Sequence, residues 1–142
     1  MTSSDAIESY MKNNSQFIGC FGTNNLPKSI KKFPISLIIN TNPTTEQGDH
    51  WLGLVLSKSQ CFYFDSFGVG VMDPDIINFL KKYYKKVTIN NECIQHHDSD
   101  KCGLYCVAFI NNVYSKSSYE RFIANFNFVH LLKNDNIVLS LL

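Results

Sequence analysis

No apolar run in this 142-residue chain approaches the about 20 residues needed to cross a bilayer. The first residues, which include acidic Asp5 and Glu8, also lack the apolar core of a targeting peptide. The expectation is a protein neither held in a membrane nor carrying a secretion signal. Net charge is nearly absent: 13 basic against 12 acidic residues leave +1, so no long-range field singles out nucleic acid or a membrane surface as a partner. The local clusters Lys28, Lys31 and Lys32, Lys81-Lys82 and Lys85-Lys86 read as solvated surface. Cysteine is sparse, five residues without the dense spacing of a disulfide scaffold, which suits a reducing compartment. No repeat, Ser/Gly linker or low-complexity tract marks a boundary. One domain over 1–142 is therefore expected, with 44% apolar and 13% aromatic residues to fill its core.

What is present alternates between strand and helix patterns. Residues 4–13 suit a helix capped by Asp5, with Glu8 completing a capping box. Residues 33–40 form a β-branched apolar run with Pro34 near its start, and a polar loop follows from Asn42 to Gly48. His50 to Leu56 reads as a strand placing His50, Leu52, Leu54 and Leu56 on one side and Trp51, Gly53 and Val55 on the other. Ser57 to Gln60 makes a turn into a strand over Cys61 to Phe64, with Asp65 at its end. An antiparallel hairpin of this length brings His50 and Asp65 to the same end. Asp73-Pro74 is a strong helix start, and Val87 to Ile89 is a short strand. Residues 100–114 are apolar nearly all round, the pattern of a helix buried in the core, with Asp98 or Ser99 as its cap. A last helix over 118–132 presents Phe122, Phe126 and Val129, and the apolar tail 137–142 docks.

The run Gln95-His96-His97-Asp98-Ser99-Asp100-Lys101-Cys102-Gly103 carries the chemistry. A cysteine in the first turn of a helix faces unpaired N–H groups and the positive end of the macrodipole, which favour thiolate over thiol. Acyl transfer by such a sulfur also needs a base, a group that orients the base and an oxyanion donor. His50, Asp65 and Gln95 supply residue types for those roles, and Gly103 lets a substrate backbone come close. Taken singly, each has a plainer reading: a small buried thiol, a satisfied histidine, a turn aspartate, a loop amide. Together they form a set. Cys106, one turn further along, is expected to be inert and buried. A zinc site on Cys93, His96, His97, Cys102 and Cys106 is the rival use of the segment, disfavoured because Cys106 lies inside its own helix and no second Cys-x-x-Cys exists. No metal is expected.

Over its first 115 or so residues the chain resembles the adenain family of adenovirus maturation proteases and, more distantly, the ubiquitin-like-protein (SUMO-type) proteases of the same clan. The resemblance rests on Phe17-Ile18-Gly19, Ile38-Ile39-Asn40-Thr41, Gly48-Asp49-His50-Trp51, Phe62-Tyr63-Phe64-Asp65-Ser66-Phe67-Gly68, and Gln95 with Cys102-Gly103 seven residues later. It implies an α+β, papain-like fold in which a central helix bearing Cys102 packs on a mixed sheet bearing His50 and Asp65. It also implies catalytic roles for His50, Asp65, Gln95 and Cys102, with Trp51 lining a narrow channel that favours Gly-Gly ahead of the cut. Asp65 stands where adenain has Glu, as in the SUMO-type branch, and the chain is shorter than adenain. The function implied is a viral cysteine endopeptidase that cuts capsid or core precursors during virion maturation, acting inside the host cell and the virion. Removal of ubiquitin-like modifiers is the enzymatic alternative, and a non-catalytic binding module on the same fold is the other. Adenain's activators, DNA and a short peptide bonded to a family cysteine, carry over weakly: Cys93 lies only two residues before Gln95, and the net charge offers DNA little. A monomer acting on polypeptide substrates is expected.

Overall fold

The computed structural model describes residues 2–41, 50–71 and 73–142. The expected loop from Asn42 to Gly48, and the Gly48-Asp49 that precedes His50, lie outside the described residues. The elements are α1 (Ser4–Met11), β1 (Phe17–Gly22), β2 (Ile35–Asn40), β3 (Trp51–Leu56), β4 (Cys61–Phe64), α2 (Pro74–Lys81), β5 (Thr88–Ile89), α3 (Cys102–Asn112), α4 (Lys116–Ala124) and α5 (Asn134–Ser140). A single 3-10 turn, Leu131–Lys133, leads into α5.

The strands form one mixed sheet in the order β1-β2-β3-β4-β5. The outer pairs β1/β2 and β4/β5 are parallel, and the inner pairs β2/β3 and β3/β4 are antiparallel. Both faces are covered, which explains why β3 is buried at every position. The alternation expected of β3 holds. Trp51 and Val55 join Phe62, Phe64 and the residues of α3 in one core, while Leu52, Leu54 and Leu56 join Tyr63 and the α2 residues Ile76, Phe79 and Leu80 in the other. Helix α3 runs through the first core with Tyr105, Cys106, Val107, Ala108 and Phe109 fully buried. Phe109 stacks on Phe64 with centroids 4.9 Å apart and meets Phe122 edge-on.

Several element ends differ from expectation, each for a local reason. Helix α1 is capped by Ser3, whose Oγ accepts from the Ala6 N–H, so Asp5 lies inside its first turn instead of capping it. The segment 17–22, not expected as a strand, is β1; its half-buried edge position and Gly19 at φ 135° remove the alternation that would mark it. Helix α3 starts at Cys102 with Lys101 at the cap position and no side-chain cap, so neither Asp98 nor Ser99 caps it. Helix α4 stops at Ala124 instead of reaching 132, because Asn134 holds the chain beyond it: its Nδ2 donates to the Asn127 carbonyl at 2.7 Å and its Oδ1 accepts from the Asn127 N–H at 2.8 Å. Val129, placed on the apolar face of that longer helix, is instead exposed. The tail does dock, as α5 with Val138 buried.

Gly68 closes the turn after Asp65 at φ +68°, and a Cβ there would lie 2.6 Å from the carbonyl carbon and oxygen of Glu92. Two rigid backbones meet at that point. Gly68→Ala is expected to cost about 1–3 kcal/mol, combining left-handed strain with the clash. Urea denaturation checks it, and an unchanged midpoint would show that the two loops part freely.

Candidate active site

The β3/β4 hairpin places the first two residues of the site. Its turn closes where the Ser57 N–H donates to the Gln60 carbonyl at 2.8 Å, and the register sets Gly53 opposite Phe64. Counting outward from that pair brings His50 and Asp65 to one end of the sheet, where His50 Nε2 lies 2.6 Å from Asp65 Oδ1. Both side chains are largely sequestered, at 13% and 5% exposure, so little solvent screens the pair. Asp65 is itself held. Its Oδ1 accepts from the Phe67 N–H at 2.9 Å and its Oδ2 from the Val69 N–H at 3.3 Å. Asn90 fixes its backbone from the neighbouring segment, accepting from the Asp65 N–H and donating to the Asp65 carbonyl. The Phe67 ring covers the imidazole with centroids 4.6 Å apart, a geometry that favours a cationic ring.

Cys102 opens α3 and is 4% exposed. With no side-chain cap, the first helical amides and the dipole's positive end remain directed at this end of the helix. The sulfur sits beside His50. Burial disfavours the charged imidazole, but the hydrogen bond to Asp65, the nearby Cys102 sulfur and the charges of both groups override it and push the His50 pKa from 6.5 up to about 9. Because Nε2 is committed to Asp65, Nδ1 is the nitrogen left to take the thiol proton. Among the described residues it is buried and has no aligned hydrogen-bond partner, the loose approach common in a resting pair.

Gln95 is the fourth candidate. It is 1% exposed, its Oε1 accepts from Ser66 Oγ at 2.5 Å, and its Nε2 donates to the Ser99 carbonyl at 3.0 Å. The structure thus brings His50, Asp65 and Cys102 into one cluster and roots Gln95 in the loop that follows Asp65. A cavity of about 490 Å³ opens against the dyad on the α2 side of the sheet, walled by His50, Leu52, Tyr63, Asp65, Phe67 and Asp73. Trp51 and Gly103, the expected substrate-binding residues, are already contacted by the chain's own first residues. The Trp51 indole N–H donates to the Thr2 carbonyl at 2.8 Å. A Cβ on Gly103 would lie 2.7 Å from the Thr2 Cβ and 3.0 Å from Ile7 Cδ1. The space expected to admit a substrate beside Gly103 is filled by the chain's own first residues, so the missing side chain here serves packing.

The rival metal set does not assemble. Cys106 is fully buried with its thiol pKa well above normal through burial, and Cys102 is turned to His50. Among the described residues the group able to converge on a cation is His96, His97 and Asp98, without any cysteine. The residues missed from sequence are the braces: Ser66, Phe67, Asn90, Ser99 and Asp135. Ser66 and Phe67 adjoin Asp65 and could have been suspected; Asn90 and Asp135 act across 25 and 36 residues and leave no local pattern.

Comparison with known proteins follows the same line. A family model described as adenovirus endoprotease matches residues 17–137. The chain is 30% identical over 132 residues to a protease of ovine adenovirus D serotype 7 (isolate OAV287), covering 75% of this chain and 64% of that protein. It is 28% identical over 120 residues to a protease of bovine adenovirus 7, covering 72% and 58%. It therefore spans about three fifths of the length of these relatives. The crystal structure of the ASFV pS273R protease shares the fold, with a TM-score of 0.50 at 16% identity over 87% of this chain and 60% of that one.

Proposed function

We propose, from the premise that this chain belongs to the adenovirus endoprotease family, that it is a cysteine endopeptidase cutting capsid or core precursor proteins after small, Gly-containing motifs during virion maturation. The observation that carries this reading is His50 held 2.6 Å from Asp65, with Cys102 at the start of α3 close enough to bear on the same imidazole. Membership of a family of proteases supports peptide hydrolysis as the use of that arrangement.

The steps follow from the atoms. Nδ1 of His50 takes the Cys102 proton, and the thiolate attacks the scissile carbonyl. The oxyanion so formed receives the free N–H of Gln95 and helix amides at Cys102. Imidazolium, steadied by Asp65, returns the proton to the leaving amine, and the carbon–nitrogen bond breaks to leave a thioester. Water then attacks that thioester with Nδ1 as base, releasing the acid and restoring the thiol. Trp51, with Thr2 on its indole nitrogen, stands as the wall past which a narrow Gly-Gly segment would run. Polypeptide precursors are the substrates, and the enzyme works as a monomer in the infected cell and the assembling particle. Neither DNA nor an activating peptide is assigned a role.

Paired assays test the assignment. Particle precursors and fluorogenic Gly-Gly peptides are expected to be cut, while a modifier fused to a reporter through Gly-Gly is cut no faster than the peptide. Cleavage confined to modifier fusions would replace maturation with modifier removal, and no cleavage of any of them with intact folding would favour a binding module. EDTA is expected to leave turnover unchanged, whereas inhibition reversed by zinc would revive a metal site.

A further inference from the structure

We propose that Ser66 is a positioning residue for the reaction: its hydroxyl clamps the Gln95 amide so that one N–H is held free for the oxyanion. The inference rests on the hydrolase reading above and extends it to a residue outside the quartet.

Ser66 is fully buried, and two of its polar groups make three hydrogen bonds to one short segment. Its carbonyl accepts from the N–H groups of Ile94 at 2.8 Å and Gln95 at 3.0 Å. Its Oγ meets Gln95 Oε1 at 2.5 Å. At the other end of the amide, Nε2 meets the Ser99 carbonyl. A carbonyl can only accept, so Ser99 dictates which end of the Gln95 amide carries the nitrogen, and Ser66 must then donate to the oxygen end. One of the two N–H bonds is used by Ser99, and the second is left over. The Ser99 side is braced in turn, because Ser99 Oγ and the Tyr105 hydroxyl both donate to Asp135 Oδ1 at 2.9 Å.

The consequence is mechanical coupling between two roles. Ser66 directly follows Asp65, so the residue that orients His50 and the residue that orients Gln95 are adjacent in the chain. Without the Ser66 hydroxyl, Gln95 Oε1 would be buried and unpaired, and the amide would turn to recover a partner at the expense of the free N–H. That loss falls on the transition state and leaves substrate binding and thiol chemistry untouched.

Kinetics of Ser66→Ala on a fluorogenic Gly-Gly peptide, with a Gly-Gly peptide aldehyde as oxyanion probe and iodoacetamide as a probe that needs no oxyanion donor, test this. The expected result is a kcat lower by about 10- to 100-fold, short of the loss from deleting an oxyanion donor outright, with KM little changed. Aldehyde affinity falls in step, Cys102 alkylation keeps the wild-type rate, and Ser66→Ala adds nothing further to Gln95→Ala. Wild-type kcat in Ser66→Ala, or losses that multiply with those of Gln95→Ala, would overturn the proposal. Should the alanine variant not fold, Ser66→Cys retains the shape with a weaker donor, and full kcat in that variant overturns it as well. Failure of wild-type enzyme to cleave or to alkylate at Cys102 would sink the hydrolase reading and this role together, whereas wild-type turnover with an unimpaired Ser66→Ala sinks this role alone.

Discussion

Replacing Cys102 with alanine is expected to lower turnover of a Gly-Gly peptide by on the order of 10⁴- to 10⁶-fold, the scale seen when the nucleophile of an acyl-transfer enzyme is removed. The size of the effect depends on no other thiol taking over. Cys106 is fully buried and its thiol is pushed well above the usual range by burial. Cys20 and Cys61 are each pushed up to about 12 by burial, Cys20 with a further contribution from Glu8. Cys93 is exposed, and its sulfur donates to the Gln95 carbonyl at 3.3 Å instead of facing an imidazole. Fold is little at risk, since alanine at the first position of a well-packed helix keeps the backbone and removes one sulfur. A residual rate within tenfold of wild type would mean that another group attacks the substrate.

Asp65→Asn is expected to cost about 10²- to 10⁴-fold in kcat, as loss of the orienting carboxylate does in comparable triads. The substitution keeps the shape of the side chain but removes its charge. Burial works against a charged His50, and Asp65 is the foremost group overcoming it. With asparagine in place Cys102 alone opposes the effect of burial, so the imidazole should lose its proton below about 9. Wild-type activity is therefore expected to fall as pH rises through about 9, and the variant's basic limb to sit at lower pH. Stability follows the same sign. The folded protein holds the His50 proton more tightly than the unfolded chain, so this contribution is fully present below pH 6.5 and is lost as pH rises through about 9. Melting temperatures of wild type and variant across pH 6 to 10 should converge at the alkaline end. A variant with an unshifted basic limb would remove Asp65 from the orienting role.

What could be read from the sequence was whatever depends on near neighbours. The alternation of β3, the Asp73-Pro74 start of α2 and the all-round apolar α3 are written in consecutive side chains. The approach of His50 to Asp65 was readable because a four-residue turn fixes a hairpin's register. The interaction that orients Gln95 was not, since Ser66 lies 29 residues away and meets it only after β4 and the segment 94–99 are packed. The same holds for Asp135, which braces Ser99 and Tyr105 from α5. Gly103 illustrates the converse failure: a glycine after a nucleophile suggests room for substrate, yet only the fold reveals that Thr2 and Ile7 fill it. The cap of α3 was misplaced because the helix begins only at Cys102: Ser99 Oγ donates to Asp135 and accepts from the Lys101 N–H, one residue short of the first helical amide.

Site-resolved alkylation distinguishes a nucleophile from a merely accessible thiol. Wild-type protein is treated with substoichiometric iodoacetamide at pH 7, and the five cysteines are mapped by mass spectrometry. Cys93 is exposed and Cys102 is 4% exposed, so access alone would direct the label to Cys93. Pairing of Cys102 with His50 predicts labelling at Cys102 first, abolished by His50→Ala while the other thiols react as before. Preferential labelling at Cys93, or labelling at Cys102 indifferent to His50, would contradict it.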